Sequence, residues 1–303
     1  MQNFQIAIVV HGGAGSTPAI QDGCIKAAEE GFALLKEGRQ AVEAAVRAVQ
    51  TMEDDGRFNA GLGSYLRLDG KSVQMDASVM DSRGNLGAVM AISKVKNPIL
   101  VALEVTKTPH VLLAGEGATA FARRRGFKHF YHVTQRAKNW HERLAQSLRQ
   151  GEGPSLPDQW KKTDLKEMWN FPDSIKKVMG SSDTVGAVAR DVEGHFAVAS
   201  STGGSTPMLK GRVGDTPVIG CGFYAGPDGA VALTGIGEAI IRRMPARAAY
   251  DLIASGLPAQ EASGQVVEKF PREISVGIIA VSREGYGIAT NRAMASHAIV
   301  EQG

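Results

Sequence analysis

Residues 180–191 read Gly-Ser-Ser-Asp-Thr-Val-Gly-Ala-Val-Ala-Arg-Asp, and the border inside this stretch, Asp183-Thr184, divides two kinds of sequence. From about residue 150 up to it, the chain has no apolar period. Gly151-Glu152-Gly153-Pro154 and Pro157 open that segment, and charges with scattered aromatics such as Trp160 and Trp169 fill it. Beyond Thr184, residues 185–191 and 197–201 form two strand-like runs around a turn at Glu193-Gly194. So long an irregular connector is unusual inside a compact domain and calls for a reason.

Working outward from that border, both halves of the chain group strands with strands and helices with helices. Ile6-Ala7-Ile8-Val9-Val10 predicts a first strand, followed by helices over 21–37 and 40–54. In the second helix Ala41, Ala44, Ala45, Ala48 and Val49 share one face. Strands are expected at 63–67, 72–80 and 86–93, separated by Asp69-Gly70 and Arg83-Gly84-Asn85, and helices at 97–106, 114–125 and 135–149. After the border come strands at 217–225 and 229–234, helices at 237–255 and 258–270, and strands at 274–281 and 286–290. This is not the strict alternation of a doubly wound fold. It predicts an α+β sandwich with two sheets stacked between helical layers.

Composition narrows the function. The 303 residues carry a formal net charge of +3, too little to imply a polyanionic partner, and Arg123-Arg124-Arg125 is the kind of short basic run found on solvated faces. Two cysteines, Cys24 and Cys221, have no CxxC spacing, and no zinc-binding HExxH occurs. The first apolar run is too short for a signal sequence, and no run reaches the ~18 apolar residues that span a bilayer. A cytoplasmic protein acting on a small molecule is the expectation, with neither nucleic acid nor membrane as partner.

The glycine-rich turn His11-Gly12-Gly13-Ala14-Gly15 follows a strand, yet it lacks the third glycine and the later acidic residue of a dinucleotide site. No GxSxG is present either. The seven histidines are scattered; His11 and His195 fit structural or surface roles.

Thr184 offers different chemistry. A threonine hydroxyl holds its proton at neutral pH, but an N-terminal threonine carries its own base, an α-amine of pKa about 7.7–8.0. Cleavage between Asp183 and Thr184 through an N→O acyl shift would create that terminus. Asp-Thr alone equally suits an ordinary turn before a strand; the downstream residues favour the chemical reading. Thr202 closes the next strand, where a hairpin would bring it back beside Thr184. Arg212 and Asp215, in Gly-Arg-Val-Gly-Asp, match the two charges of an amino-acid head group. Thr234-Gly235 ends a strand before a helix and can supply donors to an oxyanion, each worth roughly 3–4 kcal/mol.

Seven motifs in order, HGGAG (11–15), FNAGLGS (58–64), MDASVMD (75–81), DTVGAVA (183–189), STGG (201–204), GRVGD (211–215) and TGIGE (234–238), make the chain resemble the plant-type (type 2) asparaginases, or isoaspartyl peptidases. These are N-terminal-nucleophile hydrolases related to glycosylasparaginase. The resemblance implies a four-layer αββα sandwich, a single domain over 1–303, matured to an α chain (1–183, with 150–183 as a connector) and a β chain (184–303), and paired as a dimer of αβ units. It implies Thr184 as nucleophile, Thr202 as its support, Thr234 and Gly235 as oxyanion hole, and Arg212, Asp215, Gly237 and Asn59 around the substrate. It also implies no catalytic cofactor, and a structural sodium on the backbone carbonyls of Met52, Glu53, Asp55, Phe58, Ala60 and Leu62.

One position departs from the pattern. Plant-type members generally carry Gly before the nucleophile, whereas Asp183 is similar to glycosylasparaginases; the HGGAG start resembles the plant type. Hydrolysis of asparagine and β-aspartyl dipeptides through a β-aspartyl–threonine ester is therefore expected. A glycosylasparaginase is the rival enzyme, and an unprocessed amino-acid-binding protein is the rival of another class.

Overall fold

Three separate apolar cores define the layers of the computed structural model, which describes residues 4–131, 133–150, 160, 165–171 and 182–301. The larger sheet has seven strands. It contains β1 (Ala7–Ala14), β2 (Met75–Asp81), β3 (Leu86–Ile92), β4 (Leu112–Ala114), β5 (Ser182–Arg190) and β6 (Phe196–Ser205). With the last strand, β11 (Met294–Val300), its order is β11-β1-β5-β6-β2-β3-β4. The smaller sheet contains β7 (Phe223–Gly226), β8 (Gly229–Gly235), β9 (Val276–Ser282) and β10 (Tyr286–Thr290), in the order β10-β9-β8-β7.

Helices α1 (Gln21–Lys36), α2 (Ala41–Asp55), α3 (Pro98–Val105) and α4 (Gly115–Arg124) cover the large sheet, burying Ile8, Val10, Ala77, Val79, Val185 and Ala187 against Ala44, Ala48 and Val101. Two further helical segments follow, α5 (Gln135–Gln150) and a single turn, α6 (Leu165–Met168). Then α7 (Gly237–Ile241), α8 (Pro245–Ala254) and α9 (Ala259–Glu268) cover the small sheet through Val231, Leu233, Ile278 and Ala280. Between the sheets lie Ala7, Val9, Val188, Val198, Ala232 and Ile279. The order is thus αββα, as the grouping of strands and helices predicts. Both faces of both sheets are covered, which is why these strands read as nearly unbroken apolar runs.

The alanine-rich face of α2 permits a close fit. Gly31 of α1 abuts it: a Cβ there would run into Ile8 and come within 2.8 Å of the Ala44 carbonyl oxygen. A capping box of Gln40 and Glu43 starts α2, and Gly56, at φ +76°, ends it in the left-handed conformation.

Several expected elements differ. Residues 63–67 are not a strand, because 61–63 form a 3₁₀ turn that leads into irregular chain. The strand expected from 72 begins at Met75, and that expected over 217–225 is confined to Phe223–Gly226, where it can pair with β8. The helix expected over 237–255 breaks at Met244-Pro245: Met244 sits at φ +49°, and proline cannot donate to the preceding turn. Strands β4 and β11 were not expected. Alternating Met294-Ala295-Ser296-His297 has a weak apolar signal, but it pairs with β1 along the whole edge. Most of the irregular connector lies outside the described residues.

Replacing Gly31 by valine should cost about 1–3 kcal/mol of stability, because the added methyls force α1 from α2 and β1. Urea unfolding of the variant beside the parent measures this, and an unchanged midpoint would contradict the packing.

Candidate active site

Alternation along the central strands turns an apolar layer into a polar one. Val9 of β1, Val188 of β5 and Val198 of β6 face the small sheet. At the same two-residue spacing, further along these strands, stand His11, Gly186, Thr184, Ser200 and Thr202, with Ser78 and Asp76 of β2.

The hairpin pairs Thr184 directly with Thr202, and both are buried. The Thr184 hydroxyl donates to Thr202 Oγ1 at 3.2 Å, and that oxygen also accepts the Gly204 N–H at 3.0 Å. The pairing shifts between Ser182↔Ser205 and Thr184↔Thr202, so β6 carries one residue more than β5 at this point; Gly204 takes φ +90° there. Asp183 therefore lies opposite a bulge. Its side chain is outside the described residues. Asn59 grips the bulge: its carbonyl accepts the Gly203 N–H at 2.8 Å and its Nδ2 donates to the Gly204 carbonyl at 2.7 Å. These bonds hold backbone, so Asn59 shapes the site from behind.

A ladder on β2 fixes the loop that carries Arg212 and Asp215. Gln74 Oε1 accepts the Gly211 N–H at 2.7 Å, Asp76 Oδ2 accepts the Gly214 N–H at 3.3 Å, and Ser78 Oγ donates to the Thr216 carbonyl at 2.6 Å. Arg212 forms a fork with Glu238, Nε and Nη2 reaching the two carboxylate oxygens at 3.0 and 2.9 Å. Gly237 lies against both charges, since a Cβ there would stand 2.9 Å from Arg212 Nη2 and from Asp215 Oδ1. Asp215 is buried, and among the described residues its Oδ2 finds no hydrogen-bond donor. Burial pushes its pKa up to about 7, with Arg212 and its own backbone N–H pulling the other way. A buried carboxylate oxygen without a partner is well suited to receive a cationic ligand.

On the small sheet, Thr234 Oγ1 accepts the Ala14 N–H at 3.1 Å, which leaves its O–H to donate elsewhere. The glycine-rich end of β1 thus serves to seat Thr234. Gly235 follows at φ +143°, with Ser275's carbonyl oxygen where a side chain would be. Thr234 and Gly235 stand on the sheet facing Thr184. The buried His11 ring overlies Gly186; burial pulls its pKa down to about 3, so it is neutral and no base near pH 7.

Behind the large sheet, Glu53 at the end of α2 accepts bonds from Ser201 Oγ at 2.6 Å and the Ile99 N–H at 3.0 Å, and burial raises its pKa to about 8. The last-turn carbonyls of α2 have no helical partners. Around Gly61 and Gly63, a Cβ would stand 2.6 Å from the carbonyl oxygens of Glu53 and Gly56 respectively, and at Gly63 it would also meet that of Phe58. Backbone oxygens of Glu53 and Phe58, both in the expected sodium set, thus line the turn of Gly61 and Gly63; that of Gly56, outside the set, accepts from Arg136 Nη1 at 3.5 Å. The Ala60 carbonyl accepts the Gly63 N–H at 3.1 Å.

Glu238, Asp76, Gln74 and the Glu53–Ser201 pair carry no role in the sequence reading. Glu238 and Asp76 fall inside quoted motifs, but their partners lie far off in sequence. A pocket of about 750 Å³ opens beside Arg212 and Glu238 and reaches Ser205 at the bulge.

Residues 4–303 match the family described as Asparaginase. The chain is 41% identical to a plant-type L-asparaginase of Pyrococcus furiosus, covering 98% of this chain and 97% of that one. It is 38% identical to an isoaspartyl peptidase/L-asparaginase of Danio rerio (92% and 86% covered) and 37% identical to one of Rattus norvegicus (95% and 83%). With the threonine pair, the Arg212–Asp215 loop and the αββα layers all in place, a match of this length means that the chain belongs to the asparaginase family.

Proposed function

We propose that this chain hydrolyses the side-chain amide of L-asparagine and the isopeptide bond of β-aspartyl dipeptides, using Thr184 as nucleophile after self-cleavage. The observation that carries this is the Thr184–Thr202 hydrogen bond at a strand bulge, on the same sheet face as the ladder that fixes Arg212 and Asp215. The names of the archaeal, fish and rat relatives support the two activities.

In self-cleavage, the Thr184 hydroxyl gives up its proton and attacks the Asp183 carbonyl carbon. The C–N bond breaks, and the nitrogen takes a proton to become the α-amine. Water then hydrolyses the resulting ester, leaving a new carboxylate at Asp183. In turnover, Arg212 holds the substrate's α-carboxylate and Asp215 its ammonium. The α-amine takes the proton as Oγ1 attacks the side-chain carbonyl, and Thr202 orients both groups. The Thr234 hydroxyl and a backbone N–H at Gly235 stabilise the oxyanion. Ammonia or an amino acid leaves with the proton, and water cleaves the β-aspartyl–threonine ester.

The carbonyl oxygens of Glu53 and Phe58 beside this turn support a structural sodium ion, with Met52, Asp55, Ala60 and Leu62 as its further ligands. The ion would brace the Asn59 loop. The reading extends to a homodimer of αβ units in the cytoplasm, where free thiols such as buried Cys24 and Cys221 persist. No helix among the described residues is long and apolar enough to cross a membrane. Asp183 favours N-glycosylated asparagine as the one rival substrate, and a direct comparison with a β-aspartyl dipeptide decides between them.

Purified protein should show two fragments by intact mass, split before Thr184, and Thr184→Ala should stay whole and inactive; a cleaved, active variant would end the proposal. Acidification below pH 7 protonates free Asp215 and removes the ammonium's counter-charge. KM should therefore rise up to about tenfold per pH unit, and Asp215→Asn should abolish that dependence. Protonation of the α-amine instead lowers kcat. Exchange of sodium for tetramethylammonium at constant ionic strength should lower Tm by a few degrees, and equal melting in both salts would remove the ion from the account.

A further inference from the structure

The pocket beside Arg212 is far larger than ammonia requires. Its volume is about 750 Å³, and Pro207, Leu209, Ile236 and Ile274 give it an apolar lining. Part of its wall comes from the far side of the cleavage point: Trp160, Met168 and Asn170. Asn170 binds the loop before Arg212 by two bonds. Its Nδ2 donates to the Lys210 carbonyl at 2.8 Å, and its Oδ1 accepts the Lys210 N–H at 3.1 Å. An amide side chain here pairs with main chain as a neighbouring strand would. Phe171, next in sequence, is buried and packs against Trp169 at 4.9 Å between ring centroids. Met168, on the preceding turn α6, stays 39% exposed as it lines the cavity. These anchors precede Asp183, and the two bonds of Asn170 reach Lys210, on the far side of the cleavage point.

We propose that residues 165–171 stay docked after maturation and form one wall of a leaving-group pocket that selects β-aspartyl dipeptides with a large apolar second residue. Asn170 is the positioning residue, and Met168 with Trp160 supplies the contact. This rests on the proposed hydrolysis. Arg212 fixes the aspartyl end at one side of the cavity, and Ser205 lies across from Ser182, two residues before the nucleophile. The second residue of the dipeptide therefore projects into the space between. Arg212 and Glu238 neutralise one another there. Of the two other charged lining residues, Lys210 can receive the dipeptide's terminal carboxylate, and Glu273 disfavours an acidic side chain.

The test compares L-asparagine, β-aspartyl-glycine and β-aspartyl-leucine on the matured enzyme and on Asn170→Ala and Met168→Asp. Wild type should prefer the leucyl over the glycyl dipeptide by about tenfold or more in kcat/KM, the scale set by apolar pockets. Met168→Asp should erase that preference, and Asn170→Ala should weaken it severalfold. Asparagine, which releases only ammonia, should stay within about twofold in Met168→Asp. Unchanged preference in both variants, or a parallel fall on all three substrates, overturns the pocket while leaving the hydrolysis intact. Wild-type inactivity on every β-aspartyl substrate overturns the hydrolysis and the pocket together.

Discussion

The site depends on the two-residue period of β-strands in a sheet buried on both faces. In β1, β2, β5 and β6 every second side chain enters the space between the sheets, and the hairpin register sets Thr184 against Thr202. A slip of one residue would turn both hydroxyls into the helical core and bring Val185 and Ser201 forward. The same period, from Gln74 just before β2 to Asp76 and Ser78 within it, reaches three successive points of the Arg212 loop. Thr184 and the loop of Arg212 and Asp215 are thus set by one sheet, and Thr234 and Gly235 by the sheet facing it.

Polar groups in such a layer are costly unless paired, and several are paired to backbone. Asp76 accepts N–H groups of Ala91 and Gly214; fully buried Arg67 donates to the carbonyls of Gln74 and Leu209. Leaving one such group unpaired costs about 1–3 kcal/mol. Among the described residues, Asp215 Oδ2 is one of the exceptions. Burial raises its pKa to about 7, so keeping it ionised is costly, and a cationic group beside it would offset that cost.

Much of this was legible in the sequence for local reasons. The α2 stripe, the turns at Asp69-Gly70 and Glu193-Gly194, and the Thr184–Thr202 hairpin follow from period and turn chemistry. The break at Met244-Pro245 is a local feature that a continuous apolar stripe concealed. Edge strand β11 carried too weak a pattern to show before its partner β1 was in place. The 217–225 run failed in the opposite way: its composition suits a strand, but only its end meets β8.

By itself the sequence determined the layer order, the residue types at each chemical position and the border at Asp183-Thr184, because strand period, helix period and side-chain chemistry are properties of short segments. Only the tertiary structure decided which groups meet: Glu238 on Arg212, Asp76 under Gly214, Glu53 behind Ser201, Ala14 against Thr234, and Asn170 on Lys210. Each joins segments far apart in the chain. Their encounter depends on how sheets and helices pack, which no local period encodes.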